Sequence, residues 1–493
     1  MAGLLSNLRL ALFGPAMREP RRLSRVPVVR ARYDAAQTND DNTRHWACSD
    51  SLGPNAANSA AIRKTLRNRA RYEYANNSYC KGIVRTLAFD LIGTGPRPQV
   101  LTGKRDLDAA VESAWQSWAK AVRLADILIT ASQAKTRDGE AFALLATRAG
   151  LANPVKLWLR LIEAEQVTTP DVNMTGMDVD GITLDAQGEP ASYVVLRGHP
   201  GESSTQWAGL EYDTYPAARV LHIFRVDRPG QYRGVPEITP ALPLFAQLRR
   251  YTLAVIAAAE TAADFAAVLE SEAPADGADP VEPMDVVELE KRMITTMPAG
   301  WKLGQVKTEQ PATTYAQFKA EILNEIARCL SMPYNVAACN SASYNYASGR
   351  LDHQTYAKAI GTERESWARK ALDPVWAAWY AEARLAVPEI VAFDPPPTLA
   401  VEWMWDGGEH VDPSKEASAQ ATRLASGTTT LPAEYAKQGQ DWEAAMERGA
   451  KALGLTLEEY QRLIVLKTFG PATEPADDPD MDPEESDLDE DAE

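Results

Sequence analysis

Apolar positions at helical spacing mark the first elements of the chain. In "NSAAIRKTLRNRARYEYANN" the residues Ile62, Leu66 and Ala70 recur along one face, and Ser59 stands where a helix N-cap is expected. A second helix is predicted in "SYCKGIVRTLAFDLIG", which ends at Gly93, a residue type that favours helix C-termini. A third is predicted in "DLDAAVESAWQSWAKAV". The pattern therefore indicates a helical region after residue 58.

Between residues 137 and 226 the pattern changes to that of strands. Runs such as "KLWLRLIEAEQV", "ASYVVLRG" and "RVLHIFRV" are rich in residues that favour strands. The clusters "DGE", "DVDG" and "DAQGEP" separate them as turns. This alternation predicts a β-rich subdomain among helices, so the sequence indicates an α+β fold.

Two long helices are predicted next, over residues 243–270 and 313–330. Their apolar faces consist of Leu244, Leu248, Tyr251 and Val255 in the first helix, and of Phe318, Ile322, Ile326 and Leu330 in the second. The first would be about 42 Å long. Its second half is dense in alanine, which either allows close approach of another helix or only raises helix propensity. Residues 271–312 interrupt the two helices and include the hairpin-like run "RMITTMPAGWKLGQVK".

An uncharged segment follows the second of these helices. The stretch "CLSMPYNVAACNSASYNYASG" contains no Asp, Glu, Lys or Arg, although 24% of the chain is charged, and Arg328 and Arg350 bracket it. Runs of this length also arise by chance, so its position between helices carries more weight than its composition. A long helix is predicted over residues 350–397. Asp373 and Pro374 are expected to kink or restart it, because proline lacks the N–H that a helix interior needs.

Charge is unevenly distributed along the chain. The net charge is −17, yet residues 1–33 carry seven Arg and one Glu, and residues 470–493 carry twelve acidic residues and no Lys or Arg. Residues 1–58 are predicted to form an extended Arg-rich arm or a plain disordered leader, and residues 470–493 a disordered acidic tail. The acidic balance of the whole chain argues against a protein that holds DNA by neutralising its phosphates.

The sequence contains no motif that indicates catalysis or a bound cofactor. Patterns of the type GxxxxGK[ST], HExxH and GxSxG do not occur, and the five histidines are scattered. The cysteines, Cys48, Cys80, Cys329 and Cys339, form no CxxC pair and have no histidine at ligand spacing. We therefore predict reduced thiols in a cytoplasmic setting, no metal site, no cofactor and no enzymatic activity.

The chain is also predicted to be soluble. Its most apolar helix, "YTLAVIAAAETAADFAAVLE", contains Glu260 and Asp264 and is too short and too polar to span a bilayer. Asn7 and Arg9 interrupt the apolar start of the chain, which argues against a signal peptide.

Three segments resemble, in the same order, those of the lambda-type portal proteins of tailed phages and prophages. They are "RNRARYEYANNSYCKGIVRTLAFDLIGTGPRPQ", "QFKAEILNEIARCLSMPYNVAACNSASYNYASGRLDH" and "VDPSKEASAQATRLASGTTTLPAEYAKQGQDWE". The first is similar to that family's Arg-rich helix, paired Asn and GTG turn, and the third to its Asp-Pro-x-Lys-Glu stretch. The resemblance covers roughly residues 30–450. One departure is Ala347, where many members have a second serine, so that hydroxyl is dispensable here.

The resemblance implies the portal-protein fold, with mainly helical wing, stem and crown regions, a β-rich wing subdomain and a small β clip. It also implies assembly as a ring, usually of twelve subunits. The implied regions are the arm 1–58, the wing 59–242 with its β-rich part 137–226, the stem helices 243–270 and 313–330, the clip 271–312, the tunnel loop 331–349, the long wing helix 350–397, the crown 398–469 and the tail 470–493.

The resemblance further implies partners and a location. The ring would lie at one capsid vertex of the virion, next to the major capsid protein, after assembly in the host cytoplasm. The large subunit of terminase would dock on it and pump double-stranded DNA through its channel. Neck proteins would dock later, for head–tail joining and genome ejection.

In this reading the uncharged loop faces the DNA. Its candidate residues are Asn340, Ser341, Ser343, Tyr344, Asn345 and Tyr346. Such side chains touch a duplex without holding its phosphates, whereas each Lys or Arg would add a salt-dependent contact. The alternative is a loop that packs against its own subunit.

Two other functions stay open at this stage. One is a different head-assembly protein, such as a scaffold or a minor capsid component, which would not form a closed ring. The other is a DNA-processing enzyme, and the missing catalytic motifs argue against it.

Overall fold

The computed structural model describes residues 49–169, 178–202, 211–264, 268–271, 301–304, 314–342, 344–407 and 413–469. The chain divides into two units, Met1–Gly53 and Pro54–Glu493. In the first unit only residues 49–53 are described, and they are exposed and form neither helix nor strand. Most of the predicted arm, and the whole predicted tail, lie outside the described residues.

Helices make up most of the described residues of the second unit. Before the sheets they are α1 (Pro54–Ala57), α2 (Ala60–Asn76), α3 (Ser78–Ile92), α4 (Arg105–Val122) and α5 (Leu124–Asp138). After the sheets follow α6 (Leu242–Asp264), α7 (Tyr315–Arg328), α8 (Tyr334–Ala338), α9 (Tyr346–Trp367), α10 (Asp373–Ala386) and α11 (Pro388–Val391). The last are α12 (Pro413–Ala425), α13 (Leu431–Lys437), α14 (Trp442–Leu453) and α15 (Leu457–Phe469). The helices predicted at α2, α3, α4 and α7 are thereby confirmed.

Two antiparallel sheets occupy the predicted β-rich region. The first has the order β3-β2-β8 and consists of β2 (Glu140–Thr147), β3 (Leu157–Ile162) and β8 (Val220–Phe224). The second has the order β4-β5-β6-β7 and consists of β4 (Asp178–Val179), β5 (Ile182–Leu184), β6 (Pro190–Leu196) and β7 (Tyr212–Pro216). Phe142, Tyr193 and Val195 belong to one buried apolar cluster of these strands. The α+β character of the chain is confirmed.

The helix α5 has no counterpart among the predicted elements. Between the end of α4 and the start of α5 stands a single residue, Arg123, in the left-handed conformation with φ 56°. That conformation is associated with Gly or Asn, so an arginine there gives no turn signal. The predicted start of the β-rich region at residue 137 is also wrong, because α5 continues to Asp138. The missing turn signal at Arg123 explains this error too.

A tryptophan cluster packs α4 against α10. The ring of Trp115 lies 4.9 Å from that of Trp118, 5.3 Å from Trp376 and 5.1 Å from Trp379, measured between centroids. The strands β1 (Arg97–Gln99) and β11 (Glu402–Met404) pair antiparallel and bring Trp403 to 5.4 Å from Trp115. Early and late parts of the second unit therefore share one core.

The helix predicted over residues 243–270 is shorter in the structure. It ends at Asp264, and residues 268–271 form the strand β9, which pairs antiparallel with β10 (Trp301–Gly304). The alanine-rich pattern predicts a helix because helix propensity is local, whereas strand pairing depends on a segment far along the chain. The predicted hairpin run contains β10. Its other residues, like most of 271–312, lie outside the described residues.

The long helix predicted after the uncharged segment is divided, and it starts earlier, at Tyr346. It passes through a π-helical turn, Ala368–Leu372, before α10 begins at Asp373. Pro374 has no N–H to donate within a continuous helix, so the restart predicted at this position is confirmed. Helical structure ends at Val391, short of the predicted end.

Three arginines of α2 face acidic groups of the β-rich region and of the end of α5. Arg63, Arg67 and Arg71 are four residues apart and therefore share one helix face. Arg63 pairs with Asp180, and Nε of Arg71 lies 2.8 Å from a carboxylate oxygen of Asp138. The arginine-rich pattern of this helix thus serves contacts within the subunit.

Glu140 lies at the centre of this buried ionic cluster. Its carboxylate accepts hydrogen bonds from Nη2 of Arg233 (2.6 Å) and from the backbone N–H of Gly234 (2.9 Å), and Nε2 of His222 lies 3.1 Å away. Burial alone would raise the pKa of Glu140. The charge of Arg233 and the hydrogen bonds from His222 and Arg233 nevertheless lower that pKa well below its usual range. The carboxylate is therefore ionised and is the main counter-charge of a buried guanidinium.

The variant Glu140→Gln is expected to destabilise the protein by about 3–5 kcal/mol, because it removes the main counter-charge of the buried Arg233 and leaves only the carboxylate of Asp180, 3.4 Å from its Nη1. Urea unfolding followed by circular dichroism measures the change as a lower midpoint. Glu211→Gln is the matched control, since the pair of Glu211 with Arg197 is exposed and its loss should leave the midpoint close to that of the wild type. Equal midpoints for the two variants would show that the cluster does not stabilise the fold.

Candidate functional site

The uncharged segment between α7 and α9 is not an open loop throughout. The short helix α8 (Tyr334–Ala338) lies within the predicted tunnel loop 331–349, which corrects that prediction. A helix of this length leaves no recognisable period in the sequence. Ser331 (φ 55°) and Cys339 (φ 52°) adopt left-handed backbone conformations on either side of α8. The segment is therefore a small folded unit between two sharp turns.

Asn340 and Ser341 open the stretch that follows α8, and both are exposed. The side-chain oxygen of Asn340 accepts a hydrogen bond from the backbone N–H of Ala342 (3.0 Å). The carbonyl oxygen of Ser341 accepts one from the N–H of Tyr344 (3.1 Å). These local bonds fold the stretch into tight turns rather than an extended strand.

Tyr344 and Asn345 lead into α9. Asn345 is exposed, and its side chain caps the helix by accepting a hydrogen bond from the N–H of Ser348 (2.9 Å). This cap explains why α9 starts before the predicted residue. Tyr344 is partly buried, and burial together with the nearby charge of Asp352 raises the pKa of its hydroxyl.

The predicted site residues thus have different surroundings. The exposed ones are Asn340, Ser341 and Asn345, whereas Tyr344 is partly buried. Ser343, and the side chain of Tyr346, lie outside the described residues. The three exposed side chains are available to a ligand, and their contact with DNA stays a prediction.

Beyond the loop, α9 is anchored to α3. The hydroxyl of Tyr356 donates to the carboxylate of Asp90 (2.8 Å), and Nε of Arg364 donates to the carbonyl oxygen of Leu91 (3.0 Å). Before these anchors the helix is open to solvent, and Leu351 is 66% exposed. The loop therefore stands at an exposed end of α9, which is also held to α8 where Nε2 of His353 lies 3.0 Å from Nδ2 of Asn335.

One group of side chains in the described residues has the composition of a metal site. The ligand atoms of Glu163, Glu165 and His199 lie within 4.8 Å of one another. However, Nη2 of Arg71 already lies 3.3 Å from the carboxylate of Glu163 and 3.0 Å from that of Glu165. A guanidinium thus supplies the positive charge at this place, and we assign the group to the ionic cluster described above.

Cys80, Cys329 and Cys339 are free thiols, as predicted, and Cys48 lies outside the described residues. Burial raises the pKa of Cys80 to about 12 and that of Cys329 to about 11. Both thiols are therefore protonated near neutral pH and poor nucleophiles. In the part of the chain that the structure describes, no helix is both long and apolar enough to cross a membrane.

The sequence is similar to phage portal proteins. The sequence model of the family described as "Phage portal protein, lambda family" matches residues 40–383. The chain is 23% identical over 464 residues to the "Probable portal protein" of Halomonas phage phiHAP-1, which covers 87% of this chain and 86% of that protein. It is 21% identical over 344 residues to "Portal protein B" of Escherichia phage lambda, which covers 62% of this chain and 64% of that protein.

Among solved structures, the chain is similar to a component of the neck of a native GTA particle. The TM-score is 0.42 at 13% identity, over 78% of this chain and 94% of the other. A chain from the neck of an empty GTA particle also gives a TM-score of 0.42 at 13% identity. Similarity at this level adds no argument about function. The match to the family, in contrast, spans well over half of the sequence, and the chain therefore belongs to the lambda family of phage portal proteins.

Proposed function

We propose that this portal protein assembles into a closed ring of twelve copies, whose channel admits double-stranded DNA at one capsid vertex. The support comes from the exposed faces of α6 and α7, the two helices predicted to form the stem. These faces combine apolar side chains with complementary charges, as subunit interfaces do.

The middle of α6 is apolar on almost every side. Residues 251–259, "YTLAVIAAA", contain no charged side chain, yet Leu253 is 59% exposed and Ile256 is 48% exposed. A helix that is apolar all round is normally buried. The helix α7 begins beside Thr252, whose side-chain hydroxyl accepts a hydrogen bond from the hydroxyl of Tyr315 (3.1 Å). From there α7 runs back toward the start of α6. The apolar surface of α6 after Thr252 is therefore left exposed by α7. We propose that a second copy of the chain packs against it.

The exposed side of α7 complements this surface. Phe318 packs against Tyr251 of α6, with ring centroids 5.0 Å apart, and is still 50% exposed. The exposed carboxylates of Glu321 and Glu325 follow on the same side of α7. On α6, Arg250 is exposed one turn before Leu253. Because the two faces differ, each copy would use both, one toward each neighbour. Such head-to-tail contacts form a ring when the rotation between copies closes.

Electron microscopy of the purified protein tests this proposal. Averaged images should show a closed ring with cyclic symmetry, and the number of subunits can be counted directly. A strictly monomeric mass at all protein and salt concentrations would contradict the proposal. It would favour the scaffold or minor capsid alternative.

The channel function of the loop rests on its exposure and its lack of charge. Asn340, Ser341 and Asn345 are exposed at the free end of α9, and residues 329–349 contain no charged side chain. In the proposed ring these exposed residues face the duplex. Contacts with uncharged side chains are weak, so DNA can slide past them.

The segment 271–312 is proposed to be the clip, which binds the large terminase subunit during packaging and neck proteins afterwards. Its support is the pairing of β9 with β10, which brings the two ends of the intervening segment together beyond the end of α6. Replacing the segment by a short Gly/Ser linker should abolish packaging while empty capsids still form. Packaging at the wild-type rate by the linker variant would contradict the proposal that this segment is the clip.

A further inference from the structure

A cationic stripe follows the exposed side of α3. Lys81, Arg85 and Phe89 are four residues apart, so they share one face of the helix, and all three are exposed. The guanidinium of Arg85 lies over the ring of Phe89, with 5.5 Å between its Cζ and the ring centroid. The one carboxylate of α3, Asp90, accepts a hydrogen bond from the hydroxyl of Tyr356 (2.8 Å). The stripe therefore presents two cations that no acidic residue on the same face of α3 balances.

The last 24 residues of the chain have the opposite charge. Residues 470–493 contain twelve Asp and Glu and no Lys or Arg, and their large apolar residues are Met481 and Leu488 alone. A segment of this composition has little apolar surface to bury. A surface that binds it must therefore attract it by positive charge.

The acidic segment begins within reach of the stripe. The loop before α14 contacts the chain that follows α3: a Cβ added to Gly439 would lie 2.6 Å from the carbonyl oxygen of Trp405, and the hydroxyl of Thr94 donates to the next residue, Asp406 (2.8 Å). From this contact, α14 and α15 with the turn between them extend at most about 50 Å to residue 469. The 24 residues that follow span up to about 80 Å when extended. They can therefore reach α3 whatever the direction of α15.

The side of α14 that faces α4 is less suited to an acidic segment. Arg105 of α4 already lies 3.5 Å from Glu443 and 3.7 Å from Glu447 of α14. Two turns further along α4, burial and the charge of Asp441 raise the pKa of Glu112 to about 7. Carboxylates thus outnumber cations between these two helices, and they repel further negative charge. The exposed stripe of α3 has the charge that attracts it.

We propose that residues 470–493 bind along the stripe formed by Lys81, Arg85 and Phe89 in the same copy of the chain. An exposed ion pair is weak by itself. The covalent connection holds the acidic segment near the stripe at an effective concentration of about millimolar, so weak contacts suffice. The bound segment covers the two cations with negative charge and keeps other polyanions, such as duplex DNA, away from this surface. The proposal depends on neither the ring nor the channel loop.

Zero-length cross-linking of the full-length protein tests the contact. A carbodiimide joins an ammonium group to a neighbouring carboxylate, so Lys81 should become linked to the acidic segment. Because residues 468–493 contain no Lys or Arg, trypsin releases them as one peptide, which mass spectrometry identifies together with its partner. Lys120, which is exposed on α4, should not be linked.

Arg85→Gln should lower the yield of the Lys81 link about two- to fivefold, the ratio expected when one exposed charge contact is lost. Arg123→Gln, at an exposed position of α4, is the matched control and should leave the yield unchanged. A mixture of isotope-labelled and unlabelled copies shows whether the link joins residues of one copy. Links between labelled and unlabelled copies in statistical proportion would overturn the assignment to the same copy.

Binding of a short DNA duplex, followed by fluorescence anisotropy, tests the consequence. A full-length variant with the twelve acidic residues of 470–493 replaced by Asn and Gln should bind the duplex at least about tenfold more tightly than the wild type. Adding Lys81→Gln/Arg85→Gln should remove most of this gain, whereas adding Lys120→Gln/Arg123→Gln should preserve it. A thermal unfolding scan verifies that each variant is folded. Three outcomes overturn the proposal: no link to Lys81, equal links to Lys81 and Lys120, or a gain in DNA binding that survives the change of Lys81 and Arg85.

Discussion

Leu253→Glu is expected to abolish the ring and leave a folded monomer. The side chain is 59% exposed in the single chain, so the substitution is compatible with the fold. In the proposed ring it places an unpaired carboxylate in an apolar interface, which costs several kcal/mol at each contact. Because every subunit carries the change, every interface of the ring is weakened. Light scattering gives the mass, and electron microscopy shows whether rings remain.

The matched control is Leu385→Glu, because Leu385 is 75% exposed on α10, away from the proposed interface. It should leave rings intact. A second test uses charge: Arg250→Glu should weaken assembly, and adding Glu325→Arg should restore it if these two faces meet between neighbours. Rings of normal mass in Leu253→Glu, or no restoration in the charge exchange, would show that α6 and α7 do not form the interface.

Lysines at Asn340 and Ser341 are expected to stall DNA packaging. Both residues are exposed, so the double variant Asn340→Lys/Ser341→Lys should fold and form rings. In the proposed channel it adds two cations per subunit against the phosphates of the duplex. A contact of about 0.5–1 kcal/mol is small by itself, but its repetition around the ring would hold the DNA in place. Higher ionic strength should partly restore packaging, since salt screens these contacts.

The measurement is the rate of packaging into empty capsids across a series of salt concentrations, and Ser341→Ala is the control that should package at the wild-type rate. Two outcomes contradict a channel role. Failure of the lysine variant to form rings, without rescue by salt, would place the loop inside the subunit or its interfaces. Packaging at the wild-type rate at every salt concentration would show that these residues do not face the DNA.

The local elements of this protein were predictable because their signals are local. Apolar residues at helical spacing predicted α2, α3, α4 and α7, and strand-like runs separated by turn residues predicted the β-rich region. Pro374 predicted the restart of the long helix by its chemistry alone. Three segments in a particular order were enough to indicate the portal family, and the match over residues 40–383 confirms it.

The errors arose where a residue adopts a conformation unusual for its type or where partners are distant. Arg123, rather than a glycine, turns the chain between α4 and α5, so that boundary carried no signal. The strand β9 was mistaken for helix because its partner β10 begins at residue 301. The helix α8 is too short to leave a period in the sequence.

By itself, the sequence determined most of the helical and extended segments, where charge is absent, and to which family the chain belongs. The tertiary structure alone decided which helix faces are inside. On α2 the predicted apolar face begins with Ile62, yet Ile62 is 42% exposed and Arg63 beside it is 2% exposed. Periodicity shows that a helix has two faces. Which one is buried depends on the partners that folding brings to it, here the acidic groups of the β-rich region.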